Sequence, residues 1–88
     1  MIKKQIKVQN KLGLHARPCS LLVKTANKFR SDFQIQKGSM LINGKSIMGV
    51  MMLAAECGSM VDLIVDGIDQ EEALDTISQL FDSKFGEE

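Results

Sequence analysis

Apolar and polar residues alternate in four short segments of the chain, as they do in β-strands with one buried and one exposed side. The segments cover Ile2 to Val8, Phe33 to Gln36, Met40 to Ile42 and Val61 to Val65. Lys37-Gly38-Ser39 separates the second segment from the third and is typical of a tight turn. These two strands are therefore expected to form a hairpin.

Three other segments have the residue spacing of helices. In the first, from about Ala16 to Phe29, apolar residues recur every three or four positions. The second is the apolar stretch from Ile47 to Ala55, whose length favours a short helix although its periodicity also fits a strand. The third is expected to start at Asp69, with Glu72 completing a capping box, and to stop at Gly86. Its apolar stripe consists of Ala73, Leu74, Ile77, Leu80 and Phe81.

The resulting order of elements, β-α-β-β-α-β-α, predicts an α+β fold. In a chain of 88 residues, a four-stranded antiparallel sheet with three helices on one face is a natural way to bury these apolar stripes. The opposite face of the sheet, which carries Lys and Gln, is expected to face water. We therefore expect residues 1–88 to form one domain.

Composition argues against several classes of protein. Eleven Lys and Arg residues balance eleven Asp and Glu residues, so no net positive charge attracts a nucleic acid. Trp and Tyr, which stack on bases, are absent. The apolar runs are too short to cross a bilayer, and the first residues lack the apolar core of a secretory signal. Cys19 and Cys57 form neither a disulfide framework nor a zinc site, so we expect reduced thiols, a cytoplasmic location and no metal or cofactor.

The single histidine, His15, lies where a loop meets the first predicted helix, in the sequence Gly13-Leu14-His15-Ala16-Arg17-Pro18. A lone histidine is commonly a hydrogen-bonded or exposed side chain with no chemical role. Here, however, the first amides of the helix, those of Ala16 and Arg17, lack partners within the helix and attract anions. Pro18 has no amide hydrogen but suits a first helical turn. The Arg17 guanidinium matches the geometry of phosphate oxygens.

These residue types favour phosphoryl transfer. A neutral imidazole nitrogen is a competent nucleophile near pH 7. The nearest carboxylate in the sequence is Asp32, so we expect no acid or base for hydrolysis beside His15. A nucleophile with an anion site but no hydrolytic base is expected to accept a phosphoryl group and hold it, as a carrier does.

Two segments resemble those of a known family. Gly13 to Pro18 is similar to the active-site signature of HPr, the histidine-containing phosphocarrier of the bacterial sugar phosphotransferase system. Asn43 to Met51 is similar to the second signature of that family, around a regulatory serine. The resemblance covers the whole chain and implies an open-faced β-sandwich. It also implies that His15 is phosphorylated on Nδ1 by enzyme I, with phosphoenolpyruvate upstream, and delivers the group to enzyme IIA domains.

Ser46 and Cys19 each allow two interpretations. Ser46 is expected to be the N-cap of the second helix, a role that needs no further function. The resemblance adds regulatory phosphorylation of Ser46 by HPr kinase/phosphorylase, with a transcriptional regulator as a further partner, and a helix N-terminus tolerates that charge. Cys19 stands where the family usually has Ala, Gly, Ser or Thr. It is either a thiol made reactive by Arg17 and the helix N-terminus or a small apolar filler.

The stretch after Ser46 holds more apolar residues than a two-turn helix can bury, so some are expected to be exposed beside His15. Val50 and Leu53 are expected to join the core instead. Flexible Met side chains suit a surface that binds several partners in turn, and positive charges at its edge predict acidic, apolar partner grooves bound transiently by a monomer. The expected docking residues are Ser20, Leu21, Lys24, Asn27, Lys45, Ile47, Met48 and Met51.

Three functions remain open from the sequence, and in none of them is the protein an enzyme. The first is a phosphocarrier for sugar import. The second keeps the fold and His15 but makes the protein a signalling relay for metabolic state, without sugar transport. The third is a small α+β binding domain in which His15 is incidental. Phosphorylation by enzyme I distinguishes the third from the others.

Overall fold

In the computed structural model, which describes residues 1–87, four antiparallel strands form one sheet with helices over one face. The elements are β1 (Ile2–Lys7), α1 (Ala16–Ala26), β2 (Asp32–Lys37), β3 (Met40–Asn43), α2 (Ile47–Met52), β4 (Met60–Asp66) and α3 (Gln70–Asp82). A 3₁₀ turn, Lys84–Gly86, follows α3. The predicted α+β fold and the order of its elements are confirmed.

The sheet has the order β1-β4-β2-β3, so the last strand of the chain pairs with both β1 and β2. The register places inward side chains side by side, with Ile6 opposite Val61 and Ile35 opposite Leu63. All four are buried. Because side chains alternate along a strand, this register leaves the polar set, including the exposed Gln34, on the opposite face. That face is open, as predicted.

The helices complete one continuous core above the sheet. Leu22 of α1 and Ile77 and Phe81 of α3 are fully or almost fully buried. Burying a side chain of this size contributes about 1.5–3 kcal/mol, so these contacts hold α1 and α3 on the sheet. Val50 and Leu53 join the same core, as predicted, and anchor α2.

Gly44 allows the connection from β3 to α2 to lie directly against β2. Its amide donates to the Phe33 carbonyl at 2.7 Å. A Cβ atom at Gly44 would overlap the ring of Phe33. The absence of a side chain therefore lets the segment before Ser46 approach the sheet closely, which places the start of α2.

The end of α1 lies at Ala26, three residues before the predicted Phe29. The amides of Lys28 and Phe29 bond to carbonyls three residues back, as in a 3₁₀ turn, instead of four. Lys45 Nζ donates a hydrogen bond to the Phe29 carbonyl at 2.8 Å. The helix therefore ends in a tighter turn, and the lysine satisfies a carbonyl of the segment beyond it.

Helix α2 is also shorter than the apolar stretch that predicted it, and ends at Met52 instead of Ala55. The amides of Leu53 and Ala54 bond three residues back, and Ala54 has a positive φ of 48°. Lys37 Nζ, on β2, donates to the Leu53 carbonyl at 3.2 Å. A lysine from the sheet thus satisfies a carbonyl at the end of α2.

The capping-box prediction for α3 is wrong. Asp69 occupies the N-cap position, but its side chain makes no capping hydrogen bond. Its carboxylate instead accepts hydrogen bonds from the amides of Arg30 and Ser31, each at 2.9 Å, and from the Ser31 hydroxyl. The carboxylate therefore joins the loop after α1 to the start of α3.

Replacement of Asp69 by Asn is expected to make the free energy of unfolding less dependent on pH in the acidic range. The hydrogen bond from the Ser31 hydroxyl, with those from the Arg30 and Ser31 amides, lowers the pKa of Asp69 to about 2. Since an unfolded Asp has a pKa of about 3.9, the ionised carboxylate stabilises the fold above that pH, and the contribution is lost as the pH falls towards 2. Thermal unfolding should show the wild type more stable than Asp69→Asn near neutral pH, with the difference shrinking between about pH 4 and pH 2. Asp82→Asn, on the exposed side of α3, serves as the control. If Asp69→Asn were less stable than the wild type by the same amount at both ends of this pH range, the lowered pKa of Asp69 would be contradicted.

Candidate functional site

The loop before α1 is held in place by a main-chain contact with the segment after α2. The Leu14 amide donates to the Ala55 carbonyl at 2.8 Å. Gly13 makes this approach possible, because a Cβ atom there would lie 2.5 Å from the same carbonyl oxygen. Its φ of 68° is also in the left-handed region that favours glycine. The backbone next to His15 is therefore fixed on both counts.

His15 is the N-cap residue of α1, with an extended backbone and no capping hydrogen bond from its ring. Its side chain is 35% exposed. Among residues 1–87, the amides of Ala16 and Arg17 have no acceptor, and Pro18 at the third helical position has no amide hydrogen. The imidazole therefore stands beside two open donors at the positive end of the helix, as the sequence predicted.

Arg17 supplies an exposed positive charge at the same end of α1. Its side chain is exposed, and within the described residues it forms no ion pair. It lines an open depression with Lys11, Leu12, Gly86 and Glu87. An exposed guanidinium at this position is available to phosphate oxygens.

The expectation that no carboxylate lies near His15 is wrong. Glu87 Oε2 lies 2.8 Å from His15 Nε2, and Glu87 Oε1 accepts a hydrogen bond from Asn10 Nδ2 at 3.0 Å. The hydrogen bond from Asn10, and then the hydrogen bond and charge of His15, lower the pKa of Glu87. The sequence carries no signal for this contact, because 72 residues separate the two side chains.

The turn after α3 brings Glu87 to the site. Helix α3 ends at Asp82, and Gly86, the predicted stop, instead lies in the following turn. Lys84, Phe85 and Gly86 have φ values of 57°, 56° and 74°, so three successive residues are left-handed. The buried Phe85 ring packs edge-on against another core phenylalanine, with the ring centroids 4.9 Å apart. That packing holds a backbone conformation that is otherwise unfavourable for non-glycine residues.

Cys19 is a buried filler and not a reactive thiol. Its side chain has no exposed surface, and Sγ donates to the Leu14 carbonyl at 3.2 Å. Burial raises the pKa of the Cys19 thiol. Although the thiol is near the start of α1, it faces the core, so desolvation outweighs any effect of the helix dipole.

Ser46 caps α2 as the sequence predicted. Its backbone is extended and its hydroxyl accepts a hydrogen bond from the Gly49 amide at 3.1 Å. Asn43 Oδ1 accepts from the Lys45 amide at 2.9 Å, which supports the turn immediately before the cap. The Ser46 hydroxyl is half-buried and already used in the cap.

Six of the expected docking residues lie on α1 and α2, which pack against each other, while Asn27 directly follows α1 and Lys45 precedes α2. All of them are exposed except Lys45, which is half-buried with its amine on the Phe29 carbonyl. Met48 is 77% exposed, the largest apolar exposure on α2. On α1, Ser20 and Lys24 follow Arg17 at three- and four-residue intervals, so the exposed stripe starts at the candidate site.

The net charge of zero conceals a separation of charges that the sequence analysis did not use. Ten of the eleven basic residues lie within residues 1–55, together with a single acidic residue, Asp32. Helices α1 and α2 hold no acidic residue, whereas α3 starts with Gln70-Glu71-Glu72. The surface formed by α1 and α2 therefore carries basic residues without acidic ones, although the total charge is zero.

The comparisons with known proteins identify the family to which this geometry belongs. The family model described as "PTS HPr component phosphorylation site" matches residues 2–83. The chain belongs to the HPr family. The phosphocarrier protein HPr of Treponema pallidum (strain Nichols) is 46% identical to it over 88 residues, which is 100% of both proteins.

Two further relatives agree with this assignment. A crystal structure of HPr-C-His from Thermoanaerobacter tengcongensis superposes with a TM-score of 0.96 at 46% identity, and the match covers 100% of this chain and 99% of that one. The HPr-like protein Crh of Halalkalibacterium halodurans is 46% identical over 77 residues, 88% of this chain and 92% of the relative. The HPr family is one of phosphocarriers, not of enzymes.

The part of the chain that the structure describes contains neither a cluster of metal ligands nor a helix that could cross a membrane. Residues 1–87 contain no group of three or more His, Cys, Asp and Glu side chains arranged to hold a metal ion. None of the helices in this range has both the length and the apolar character needed to cross a membrane.

The two cysteines are expected to react with thiol reagents at very different rates. Cys57 is exposed, and its Sγ makes a single long hydrogen bond of 3.6 Å to the Gln9 carbonyl. Cys19 is buried, and the pKa of its thiol is raised. Because the thiolate is the reactive form, the native protein should consume one equivalent of a chromogenic disulfide quickly. A second equivalent should be consumed only after unfolding. The Cys57→Ser variant should lose the fast phase, and a fast phase in that variant would show that Cys19 is accessible.

Proposed function

We propose that the protein accepts a phosphoryl group on His15 from enzyme I and passes it to enzyme IIA domains of the sugar phosphotransferase system. The observation that carries this proposal is the position of a partly exposed imidazole beside two amides that have no acceptor among residues 1–87. The exposed Arg17 side chain belongs to the first turn of the same helix. Membership of the HPr family supports enzyme I as the donor and enzyme IIA domains as the acceptors.

The proposed step needs only one nucleophilic atom. The lone pair of His15 Nδ1 attacks phosphorus, and the bond from phosphorus to enzyme I breaks. Within residues 1–87, the ring makes its hydrogen bond through Nε2, which leaves Nδ1 for the attack. Arg17 and the amides of Ala16 and Arg17 then stabilise the phosphoryl oxygens. Transfer to enzyme IIA reverses these bond changes.

The docking surface of this proposal consists of the exposed stripe of α1 and the Met-rich face of α2. The stripe contains Arg17, Ser20 and Lys24, and the Met-rich face contains Ile47, Met48, Met51 and Met52. It combines apolar side chains with positive charge and has no acidic residue on either helix. A partner groove that is apolar and acidic would complement it. Flexible Met side chains let one surface fit several grooves in turn. Binding by a monomer would be transient, since a carrier has to leave each partner.

Phosphorylation of Ser46 by HPr kinase/phosphorylase belongs to the proposal as regulation. Ser46 lies at the edge of the Met-rich face, between the exposed Ile47 and the half-buried Lys45. A phosphate there would add about −1.5 to −2 charges to an apolar contact surface and disfavour acidic partners. A cytoplasmic location also belongs to the proposal, because the free Cys57 thiol suits a reducing compartment.

A signalling relay is the second candidate function. The similarity to an HPr-like protein Crh favours it. In this version His15 and Ser46 would report metabolic state to a kinase or a transcriptional regulator, without transfer to a permease. Membership of the HPr family argues against the third candidate, a binding domain with an incidental histidine.

Replacement of His15 by Ala is expected to abolish phosphoryl acceptance. The wild type, incubated with enzyme I and phosphoenolpyruvate, should gain the mass of one acid-labile phosphoryl group. His15→Ala should gain none, because it lacks the nucleophile, and should keep the wild-type circular dichroism, because the side chain is not in the core. Arg17→Ala should accept the group at least about tenfold more slowly, as expected for the loss of one charged phosphate contact.

Two results would contradict the carrier proposal. One is acid-labile phosphorylation of His15→Ala at the wild-type level. The other is a wild type that takes up no phosphoryl group from enzyme I. Transfer from enzyme I without transfer to any enzyme IIA domain would instead support the signalling relay.

A charge placed at Met48 is expected to weaken partner binding without affecting the fold. Met48→Asp should raise the KM of enzyme I for this protein about tenfold, as for a central interface residue, and leave kcat nearly unchanged. Met60→Asp is the matched control, because Met60 is 44% exposed on the open face of the sheet. Equal effects of both substitutions would place the docking surface elsewhere.

A further inference from the structure

The carboxylate of Glu87 is held between two side chains in one orientation. Oε2 lies 2.8 Å from His15 Nε2, and Oε1 lies 3.0 Å from Asn10 Nδ2. Only 15% of the Glu87 side chain is exposed, and Asn10 is buried. The left-handed turn that precedes Glu87 restricts its backbone as well. Such a contact is more specific than an ion pair between two exposed side chains.

An ionised carboxylate can only accept hydrogen bonds. The hydrogen bond from Asn10, and then that from His15, keep the pKa of Glu87 below its usual value, so Glu87 is ionised near neutral pH. The His15 nitrogen that faces it must therefore carry a hydrogen. A neutral imidazole has only one N–H group, so its other nitrogen, Nδ1, then holds the free lone pair.

We propose that Glu87, oriented by Asn10, is a positioning residue that holds neutral His15 in the Nε2–H tautomer and so keeps Nδ1 as the nucleophile. This inference rests on the proposed function, in which Nδ1 forms the bond to phosphorus. Glu87 does not touch the transferred group. It acts through the ring of His15 alone.

The same contact matches the charge changes of the transfer step. When the Nδ1 lone pair forms the bond to phosphorus, Nε2 keeps its proton and the ring becomes positively charged. The Glu87 carboxylate then faces that charge at hydrogen-bond distance. When the Nδ1–phosphorus bond breaks, the electron pair returns to Nδ1 and the ring is neutral again. No proton has to enter or leave the site in either direction.

Asn10 makes the proposal testable with one conservative substitution. Its two Nδ2 hydrogens point to the Gly13 carbonyl at 2.6 Å and to Glu87 at 3.0 Å. In Glu87→Gln, the amide oxygen has to face Asn10, and the NH₂ group then faces His15 Nε2. An NH₂ group only donates, so it favours an Nε2 without hydrogen. The substitution should therefore move the proton to Nδ1 and remove the nucleophile.

The experiment combines a direct readout of the tautomer with a rate. With ¹⁵N-labelled histidine, NMR shifts of the two ring nitrogens, recorded where the ring is neutral, report which nitrogen is protonated. The wild type should be Nε2–H, and Glu87→Gln should shift towards Nδ1–H. Phosphoryl acceptance from enzyme I by Glu87→Gln should fall about fivefold, the value that corresponds to one neutral hydrogen bond of ~1 kcal/mol. Glu87→Ala should lose less, since it imposes neither tautomer. Glu71→Gln, at the exposed start of α3, should match the wild type.

The outcomes separate this inference from the function on which it rests. An unchanged Nε2–H tautomer in Glu87→Gln would overturn the inference. So would an equal fall in the rate of phosphoryl acceptance in Glu87→Gln and Glu87→Ala. A wild type that accepts no phosphoryl group would overturn the proposed function. The tautomer would still be decided in that case, because the NMR measurement needs neither enzyme I nor phosphoenolpyruvate.

Discussion

The site depends on the main-chain hydrogen bond that joins the Leu14 amide to the Ala55 carbonyl at 2.8 Å. It forms because Gly13 has no side chain to keep the two segments apart. The bond fixes the direction in which the chain enters α1, and with it the position of His15 relative to the first open amides. It also couples the loop before α1 to the segment between α2 and β4. The candidate site is therefore joined by a main-chain bond to the segment that follows α2.

Charge distribution adds a second organising feature. Because nearly all basic residues precede residue 56 and most acidic residues follow it, the fold places them on different elements. The strand order interleaves the two halves of the sequence in the sheet, but α1 and α3 keep opposite charge. A protein with zero net charge can in this way direct one end towards an acidic partner. The balanced total charge gives no general attraction to nucleic acid. The positive charge of α1 can still attract an acidic partner.

Features that depend on local spacing were predictable from the sequence. The start of α1 at Ala16 and the Ser46 cap involve residues three positions apart or fewer, so the local sequence specifies them. Val50 and Leu53 were expected in the core because a two-turn helix can bury only part of its apolar residues. The prediction for Asp69 failed because its carboxylate finds partners 38 residues away that bind it better than the local amide does. Such competition is invisible until the chain is folded.

The contact of Glu87 with His15 had no signal in the sequence for the same reason, and Cys19 shows a further limit. The motif around His15 predicted the helix start, but not which side of α1 the thiol would take, and that side decides its pKa. Chemistry that depends on a residue type next to a helix end was predictable. Chemistry that depends on what the tertiary fold brings to that end was not.

Lys37 has a consequence for how the Met-rich helix can vary. Because this strand residue satisfies the carbonyls of Leu53 and Ala54 from the sheet side, α2 needs no basic residue in its own last turn. The support for the helix end and the exposed face of the helix are therefore encoded at separate positions. Evolution or an engineer can rewrite the outer side chains of α2 for a new binding partner while the element keeps its anchorage, so recognition and folding are free to change independently.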